Sequence, residues 1–154
     1  MSLLVGVEYC KTDAQGRFKM PAAIKKQLDI ASDNRYFIRK SIYNDCLEIF
    51  TYGSFQQEVS FLTKNLNLYD PDSKKLYRRF IEGNMLEMDS FDRLLIPDMM
   101  RKSTNITKEI VIIGSGNFLE IWDAETYKKT SEDNFDYKQV AKNLLKTSNA
   151  DKSV

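Results

Sequence analysis

The chain carries one ten-residue motif twice, and this repeat constrains its fold more than any other feature. TDAQGRFKMP at residues 12–21 and MDSFDRLLIP at residues 88–97 share the spacing Asp-x-x-x-Arg-x-x-x-Pro at an offset of 76 residues. Farther on, CLEIF at 46–50 corresponds to FLEIW at 118–122 at an offset of 72, so the second copy is four residues shorter. Two copies are too few for a solenoid or a propeller, and they predict one fold built from two similar halves.

Each copy predicts two strands around a tight turn, a short helix, and two further strands. In the first copy the apolar stretch LLVGVEYC and the stretch RFKMP form a hairpin with residues 13–16 at its tip. Pro21 suits the first turn of the short helix, and the turn Tyr43-Asn44-Asp45 joins the last two strands; in the second copy Ser115-Gly116 is the corresponding turn. Because each small sheet alone would expose an apolar face and its edges, we expect both copies to form one barrel with a pseudo-twofold axis.

Helices are predicted after each copy. Ser54 and Gln57 have the spacing of a capping box, and a second helix is predicted to begin near Asp70-Pro71. The predicted organisation is a first repeat at 1–68, a linking helix at 69–83, a second repeat with its C-terminal helix at 84–146, and a flexible polar tail at 147–154.

The composition argues against catalysis. The chain has no histidine, and Cys10 and Cys46 lack Cys-x-x-Cys spacing, which leaves no zinc finger and no histidine-assisted nucleophile. We expect two buried free thiols. Carboxylate pairs such as Asp89 and Asp92 supply only two ligands and lie among turn residues, so we expect no metal, no cofactor and no small-molecule substrate. Without a long apolar run or a signal peptide, the chain is expected to be cytoplasmic, with no membrane partner.

Charge is unevenly distributed although the net charge is only +1. Residues 1–40 contain eight Lys or Arg against four Asp or Glu, whereas residues 81–100 contain one against five. Around the motifs, residues 12–26 sum to +3 and residues 88–102 sum to zero. A basic region around the first motif is typical of contact with nucleic acid.

The motif is suited to holding an arginine at a loop tip. Asp13 can cap the turn and Gly16 can supply a positive φ, so that Arg17 leaves the tip as a planar cation suited to phosphate or guanine. Lys11 and Lys19 flank it. The alternative is a weak surface ion pair between Asp13 and Arg17 with no further role. An arginine at the same place in both copies favours binding.

These motifs resemble those of the MraZ transcriptional regulators, relatives of the AbrB-like swapped-hairpin DNA-binding proteins. The resemblance spans residues 1 to about 130 and rests on DAQGRFKMP, DRLLIP and VIIGSGNFLEIWDAETY. It implies an α+β double-split β-barrel of two pseudo-symmetric AbrB-like repeats with flanking helices. It also implies a nucleoid-associated, homo-oligomeric ring that binds short tandem repeats of double-stranded DNA upstream of the division and cell-wall gene cluster, where it acts as a repressor.

The resemblance assigns DNA contact to the loop residues Asp13, Gly16 and Arg17. In the second loop Asp92 stands where the family usually has glycine. We therefore expect Asp92 or Asp89 to hold Arg93. Arg17, which has Gly16 at its turn and basic surroundings, is expected to be free and to make the stronger DNA contact.

Two other classes of function are weaker alternatives. A structural or toxin-neutralising interaction protein on an AbrB-like fold would use an acidic or apolar tail, whereas the tail here is short and polar. An enzyme would need a clustered general acid and base, which the sequence does not offer.

Overall fold

A computed structural model describes residues 3–29 and 33–152 of the 154-residue chain, with side chains described through residue 145. In chain order the elements are β1 (Leu4–Lys11), β2 (Arg17–Lys19), α1 (Ala22–Asp29), β3 (Arg35–Lys40), β4 (Leu47–Thr51), α2 (Tyr52–Asn65), α3 (Pro71–Ile81), β5 (Asn84–Glu87), β6 (Arg93–Leu95), α4 (Asp98–Ser103), β7 (Glu109–Gly116), β8 (Leu119–Asp123), α5 (Ala124–Ser131) and α6 (Tyr137–Lys152).

The described strands form two antiparallel sheets that exchange strands between the motif copies. Six strands pair in the order β1-β7-β8-β4-β3-β5, and β2 pairs with β6 in a separate two-stranded ribbon. The predicted hairpin of β1 and β2 is therefore wrong beyond its turn. One bridge joins Thr12 to Phe18, and β2 then pairs with the other copy. Alternation of apolar and polar residues identifies a strand but not its partner.

A pseudo-twofold axis relates the two copies, as the repeat predicts. β4 and β8 pair with Glu48 opposite Glu120, and β2 and β6 pair with Phe18 opposite Leu94. The members of each pair are equivalent residues at the repeat offsets of 72 and 76. The order of the six-stranded sheet also reads the same from either end when the copies are exchanged. The axis therefore passes through both pairs.

The α+β class is confirmed, and the strand pairing shows that the large sheet is not closed. The six-stranded sheet begins with β1 and ends with β5, and among the described strands no pairing joins these two edges. The β2–β6 ribbon packs over one face of this sheet, so the core lies between two facing sheets. Its fully buried side chains include Leu4, Phe18, Ile38, Leu47, Ile49, Leu94, Ile110, Ile112 and Ile121.

Helices cover the opposite face of the large sheet. Phe55 of α2 stacks on Phe37 with ring centroids 3.8 Å apart, and Tyr127 of α5 packs against buried Trp122. β4 is consequently buried along its whole length. Both cysteines are free, as expected, although only Cys46 is fully buried and Cys10 is half-buried.

Helix boundaries follow local capping. The N-cap of α2 is Thr51, whose hydroxyl accepts a hydrogen bond from the Ser54 N–H at 3.1 Å, so the predicted cap at Ser54 is three residues late. Pattern reasoning missed it because Thr51-x-x-Ser54 lacks the Glu or Gln of a capping box. α3 begins as predicted, with Asp70 accepting from the Ser73 N–H and Pro71 in the first turn.

The C-terminal region differs from the sequence expectation in its boundaries. Two helices, α5 and α6, follow β8 where one is predicted, and α6 runs through Lys152. β7 includes Ser115 and Gly116, so the chain reverses at Asn117-Phe118. The domain boundaries and the mobility of residues 147–154 stay predictions.

Candidate nucleic-acid interface

The two motif copies meet in the β2–β6 ribbon. Phe18 and Leu94 point into the core and are at most 1% exposed. Because side chains alternate along a strand, the residues on either side of them share the outward face of the ribbon. Those residues are Arg17 and Lys19 of β2 and Arg93 and Leu95 of β6. Arg17 lies opposite Leu95 and Lys19 lies opposite Arg93, so three cations share one small surface, here called the interface ribbon.

The first loop is organised by the carboxylate of Asp13. Its Oδ1 accepts hydrogen bonds from the backbone N–H groups of Gln15 and Arg17, both at 2.9 Å, and its Oδ2 accepts from Nε of Arg17 at 2.8 Å. Gly16 adopts the left-handed φ of +88° that the turn requires. The backbone and guanidinium hydrogen bonds from Arg17 lower the pKa of Asp13 below its ordinary value.

The second loop has the same geometry. Asp89 Oδ1 accepts from the backbone N–H groups of Phe91 and Arg93 at 2.9 Å, and Oδ2 accepts from Nε of Arg93 at 2.8 Å. Asp92 takes the glycine position with φ of +62°, which aspartate tolerates better than most residues. Desolvation raises the pKa of Asp89, but the hydrogen bonds from Arg93 outweigh it and leave the pKa lowered.

The structure corrects the expected difference between the two arginines. Arg17 is not free, because Asp13 holds it at the same 2.8 Å at which Asp89 holds Arg93. The two arginine side chains are also similarly exposed, at 33% and 30%. In both, only Nε is hydrogen-bonded to a residue that the structure describes, which leaves the terminal amino groups of each guanidinium facing outward.

Each turn also contacts a cation of the other copy. Arg101 of α4 lies against Gly16, where an added Cβ would come within 2.4 Å of the guanidinium carbon. Lys25 of α1, the equivalent of Arg101 at the offset of 76, lies 3.8 Å from the carboxylate of Asp92. Asp92 thus pairs with Lys25 rather than with Arg93. Sequence reasoning did not place these two cations at the site, although the repeat offset pairs them.

The ribbon gathers most of the predicted DNA-binding residues. Lys11 is the exception, because it lies in β1 opposite Glu109 of the large sheet. The predicted residues that lie at the ribbon and its turns are Asp13, Gly16, Arg17, Lys19 and Arg93.

Within residues 3–29 and 33–152, the structure contains no cluster of three or more potential metal ligands. In the same part of the chain, none of the helices combines the length and the apolar character that a membrane span requires.

Comparison with known proteins identifies the family of the chain. Residues 80–148 match the family model described as "MraZ protein, putative antitoxin-like". The chain is 31% identical over 153 residues to a protein of Flavobacterium psychrophilum named "Transcriptional regulator MraZ", an alignment that covers 98% of this chain and 97% of that protein. The chain belongs to the MraZ family. A protein of the same name from Christiangramia forsetii is 36% identical over 137 residues, 86% of each chain. Another, from Mycoplasmoides gallisepticum, is 34% identical over 129 residues, 78% of this chain and 89% of that protein.

The alignment with the Flavobacterium psychrophilum protein covers 98% of the chain and therefore both motif copies. The family resemblance inferred from the motifs is confirmed.

Proposed function

We propose that this MraZ family member is a DNA-binding transcriptional regulator that contacts double-stranded DNA through the interface ribbon and its two turns. The observation that carries the proposal is the convergence of both motif copies on one outward surface with three cations. A two-stranded ribbon fits the major groove of B-DNA. The names of the curated relatives, which are transcriptional regulators, support regulation rather than catalysis.

The aspartate of each loop orients its arginine. An exposed ion pair of this kind contributes little to stability, but it fixes the guanidinium through Nε and leaves its two amino groups without a partner among the described residues and accessible to solvent. A side chain that is already ordered loses less conformational entropy when it binds. We infer that Asp13 and Asp89 pre-organise Arg17 and Arg93 for phosphate or guanine.

Assembly would convert a weak contact into a tight one. One ribbon offers few phosphate contacts, whereas several linked copies would bind adjacent sites with a high effective concentration. Following the family resemblance, we propose a homo-oligomeric ring on short tandem repeats upstream of the division and cell-wall gene cluster, with repression as the outcome.

Exposed apolar surfaces support this assembly. Val5, Val7 and Tyr9 of edge strand β1 are 49–66% exposed. In α6 every side chain from residue 137 to 145 is exposed except the half-buried Val140. The exposed residues of α6 include the apolar side chains of Tyr137, Leu144 and Leu145. Exposed apolar patches on a folded chain mark contacts with other molecules, and a neighbouring copy would cover these side chains.

A second candidate is a toxin-neutralising interaction protein. The family description, which includes the term antitoxin-like, and the uncovered face of α6 favour it. In that case substitutions on α6 would abolish the partner complex, while substitutions on the interface ribbon would leave it intact.

Binding to the DNA upstream of the chain's own gene tests the proposal. We expect fluorescence anisotropy to show tighter binding to that duplex than to a scrambled one. Arg17→Ala and Arg93→Ala should each weaken binding by about tenfold or more, since a lost bidentate contact costs about 1–3 kcal/mol. Arg79→Ala is the matched control, because Arg79 of α3 is an exposed arginine that bonds Glu82 and belongs neither to the ribbon nor to its turns. Equal affinity of the wild type for both duplexes would refute the proposal.

A further inference from the structure

The two halves of the interface ribbon differ in chemistry, although they are related by the pseudo-twofold axis. At the loop tips the exposed amide Gln15 is the equivalent of Phe91 at the offset of 76. On the outward face of the strands, Lys19 is likewise the equivalent of Leu95. One half is therefore polar and the other is apolar.

Phe91 is a large aromatic side chain that lies at the surface and does not belong to the hydrophobic core. Its ring is 68% exposed at the tip of a turn. The guanidinium carbon of Arg93 lies 5.1 Å from the ring centroid, and the Phe91 backbone N–H donates to Asp89. Contacts therefore position both the ring and the backbone of Phe91. Leu95, 49% exposed on the same strand as Arg93, extends the apolar surface along the ribbon.

The polar half has the opposite character. Gln15 is held through its backbone N–H, which donates to Asp13 at 2.9 Å, while its amide side chain is exposed. Lys19 lies two residues after Arg17 on the same outward face. Amide side chains suit the adenine edge and cationic side chains suit the guanine edge, whereas apolar side chains suit the methyl group of thymine.

We propose that Phe91 and Leu95 contact thymine methyl groups, while Gln15 and Lys19 hydrogen-bond purine edges, so that one protomer recognises a directional, non-palindromic site. This inference rests on the proposed DNA-binding function and adds the base specificity of its two halves. A pseudo-symmetric ribbon with identical halves would favour a palindrome. Halves of different chemistry favour one orientation on the duplex.

Replacing thymine with deoxyuridine isolates the methyl contact, because the two bases differ only in that group. The probe is the duplex that the wild-type full-length protein selects from a random library. Replacing one contacted thymine with deoxyuridine should weaken binding by about fourfold. This factor corresponds to the burial of one methylene-sized apolar group. Substitutions at thymines outside the contacted half should leave the affinity unchanged.

Two variants assign the effect to residues. Phe91→Gln combined with Leu95→Lys gives the second half the side chains of the first, and both positions are exposed enough to leave folding intact. This double variant should bind thymine and deoxyuridine duplexes equally and should select a more symmetric site. Gln15→Ala, the matched control on the polar half, should keep the full sensitivity to deoxyuridine.

The possible failures are distinguishable. If the wild type prefers no duplex over a scrambled one, the proposed function and this inference both fail. If the wild type binds its selected duplex but tolerates deoxyuridine at every thymine, only this inference fails. It also fails if the double variant remains sensitive to deoxyuridine, or if its substitutions change the oligomer mass and leave base preference unaltered, since Phe91 would then serve assembly.

Discussion

At the scale of single residues, the sequence identifies the side chains of the site and the local ion pairs, but not the contacts between the two copies. Asp13, Gly16 and Arg17 lie where the motif predicts a turn, and Gly16 has the expected positive φ. The ion pair of Arg17 with Asp13 is the alternative that the sequence left open, and the pair of Arg93 with Asp89 is one of the two expected, whereas the pair of Asp92 with Lys25 was not expected. Lys25 comes from the other copy, and no local pattern indicates which distant residues the fold brings together.

Acid should weaken both loops only at unusually low pH. The pKa of Asp13 is lower in the folded protein than in the unfolded chain, where it is about 3.9. The carboxylate therefore stabilises the fold at any pH above about 3.9, and this stabilisation is lost as the pH falls through the lower pKa of the folded state. The same sign holds for Asp89. The loops therefore keep their order at the neutral pH at which DNA binding would occur.

Gly16→Ala should destabilise the protein. The backbone has φ of +88°, which strains any residue that carries a Cβ, so we expect a loss of about 1–3 kcal/mol in the free energy of unfolding. The new Cβ would also displace the flexible guanidinium of Arg101. Gly53→Ala is the control, since open space surrounds that helical glycine and alanine favours the helix. Urea denaturation measures both. Equal stability of Gly16→Ala and the wild type would show that this turn does not require a positive φ at residue 16.

Asp92→Asn should tighten DNA binding. Asparagine tolerates the same left-handed φ, and the change removes a carboxylate that lies 3.8 Å from Lys25 beside the interface ribbon. We expect a gain of up to about fivefold at low salt that disappears at high salt, the size of an exposed charge effect. Asp45→Asn, at an exposed turn between β3 and β4, is the control. Weaker binding by Asp92→Asn would show that this carboxylate assists the site.

At the scale of elements, the sequence predicts most helices and strands but not the strand pairing. The repeat implies the symmetry axis, and the register confirms it at Phe18 opposite Leu94. The pairing of β2 with β6 escapes prediction because three-residue strands have no periodicity long enough to identify a partner. Strand exchange between the copies is what brings both loops to one surface.

A buried charge cluster that the sequence analysis missed ties the linking helices to the sheet. Arg39 of β3 is 4% exposed and donates to Glu48 of β4, to Glu58 of α2 and to the carbonyl of Phe80 in α3. Its guanidinium also lies over the ring of Phe80. Arg39 lies opposite Glu48, and the apolar Ile113 of β7 lies opposite the equivalent Glu120, so the repeat offered no signal for this cluster.

Arg39→Ala should therefore be among the most destabilising single substitutions in this chain. It would leave the buried carboxylate of Glu48 without a partner, and we expect a loss of about 3–5 kcal/mol measured by thermal or urea unfolding. Arg35→Ala removes a more exposed pair with Asp33 and should cost less than about 1 kcal/mol. Similar losses for the two variants would mean that the buried cluster does not anchor α2 and α3.

At the scale of the whole molecule, uncovered apolar surface predicts an oligomer larger than a dimer. α6 exposes Tyr137, Leu144 and Leu145 along one chain segment, and β1 exposes a second apolar stripe. Two different patches that bind each other between copies make a head-to-tail contact, which closes into a ring when the rotation allows. Sequence patterns predict the amphipathic character of α6, but only the packing shows that it is left uncovered.

Light scattering tests this assembly. We expect a mass several times the 17.9 kDa of one chain at micromolar concentration. Leu144→Ser combined with Leu145→Ser should lower that mass, because it removes the apolar face of α6. Leu76→Ser, at a partly exposed leucine of α3, should leave the mass unchanged. A monomer mass for the wild type would contradict the prediction.

Binding to DNA should depend steeply on salt, and the dependence should separate the residues of the interface ribbon by role. Each phosphate that the protein neutralises releases counterions, so the logarithm of affinity falls linearly with the logarithm of salt concentration, with a slope of about 0.9 per contact.

Arg17→Ala and Arg93→Ala remove cations whose free amino groups face outward, so each should reduce the slope by about one for every ribbon bound. Phe91→Gln removes no charge, and its titration should run parallel to that of the wild type while its base preference changes. An anisotropy series from low to physiological salt measures all four proteins. A flat salt dependence for the wild type would show that Arg17 and Arg93 do not act through the phosphate backbone.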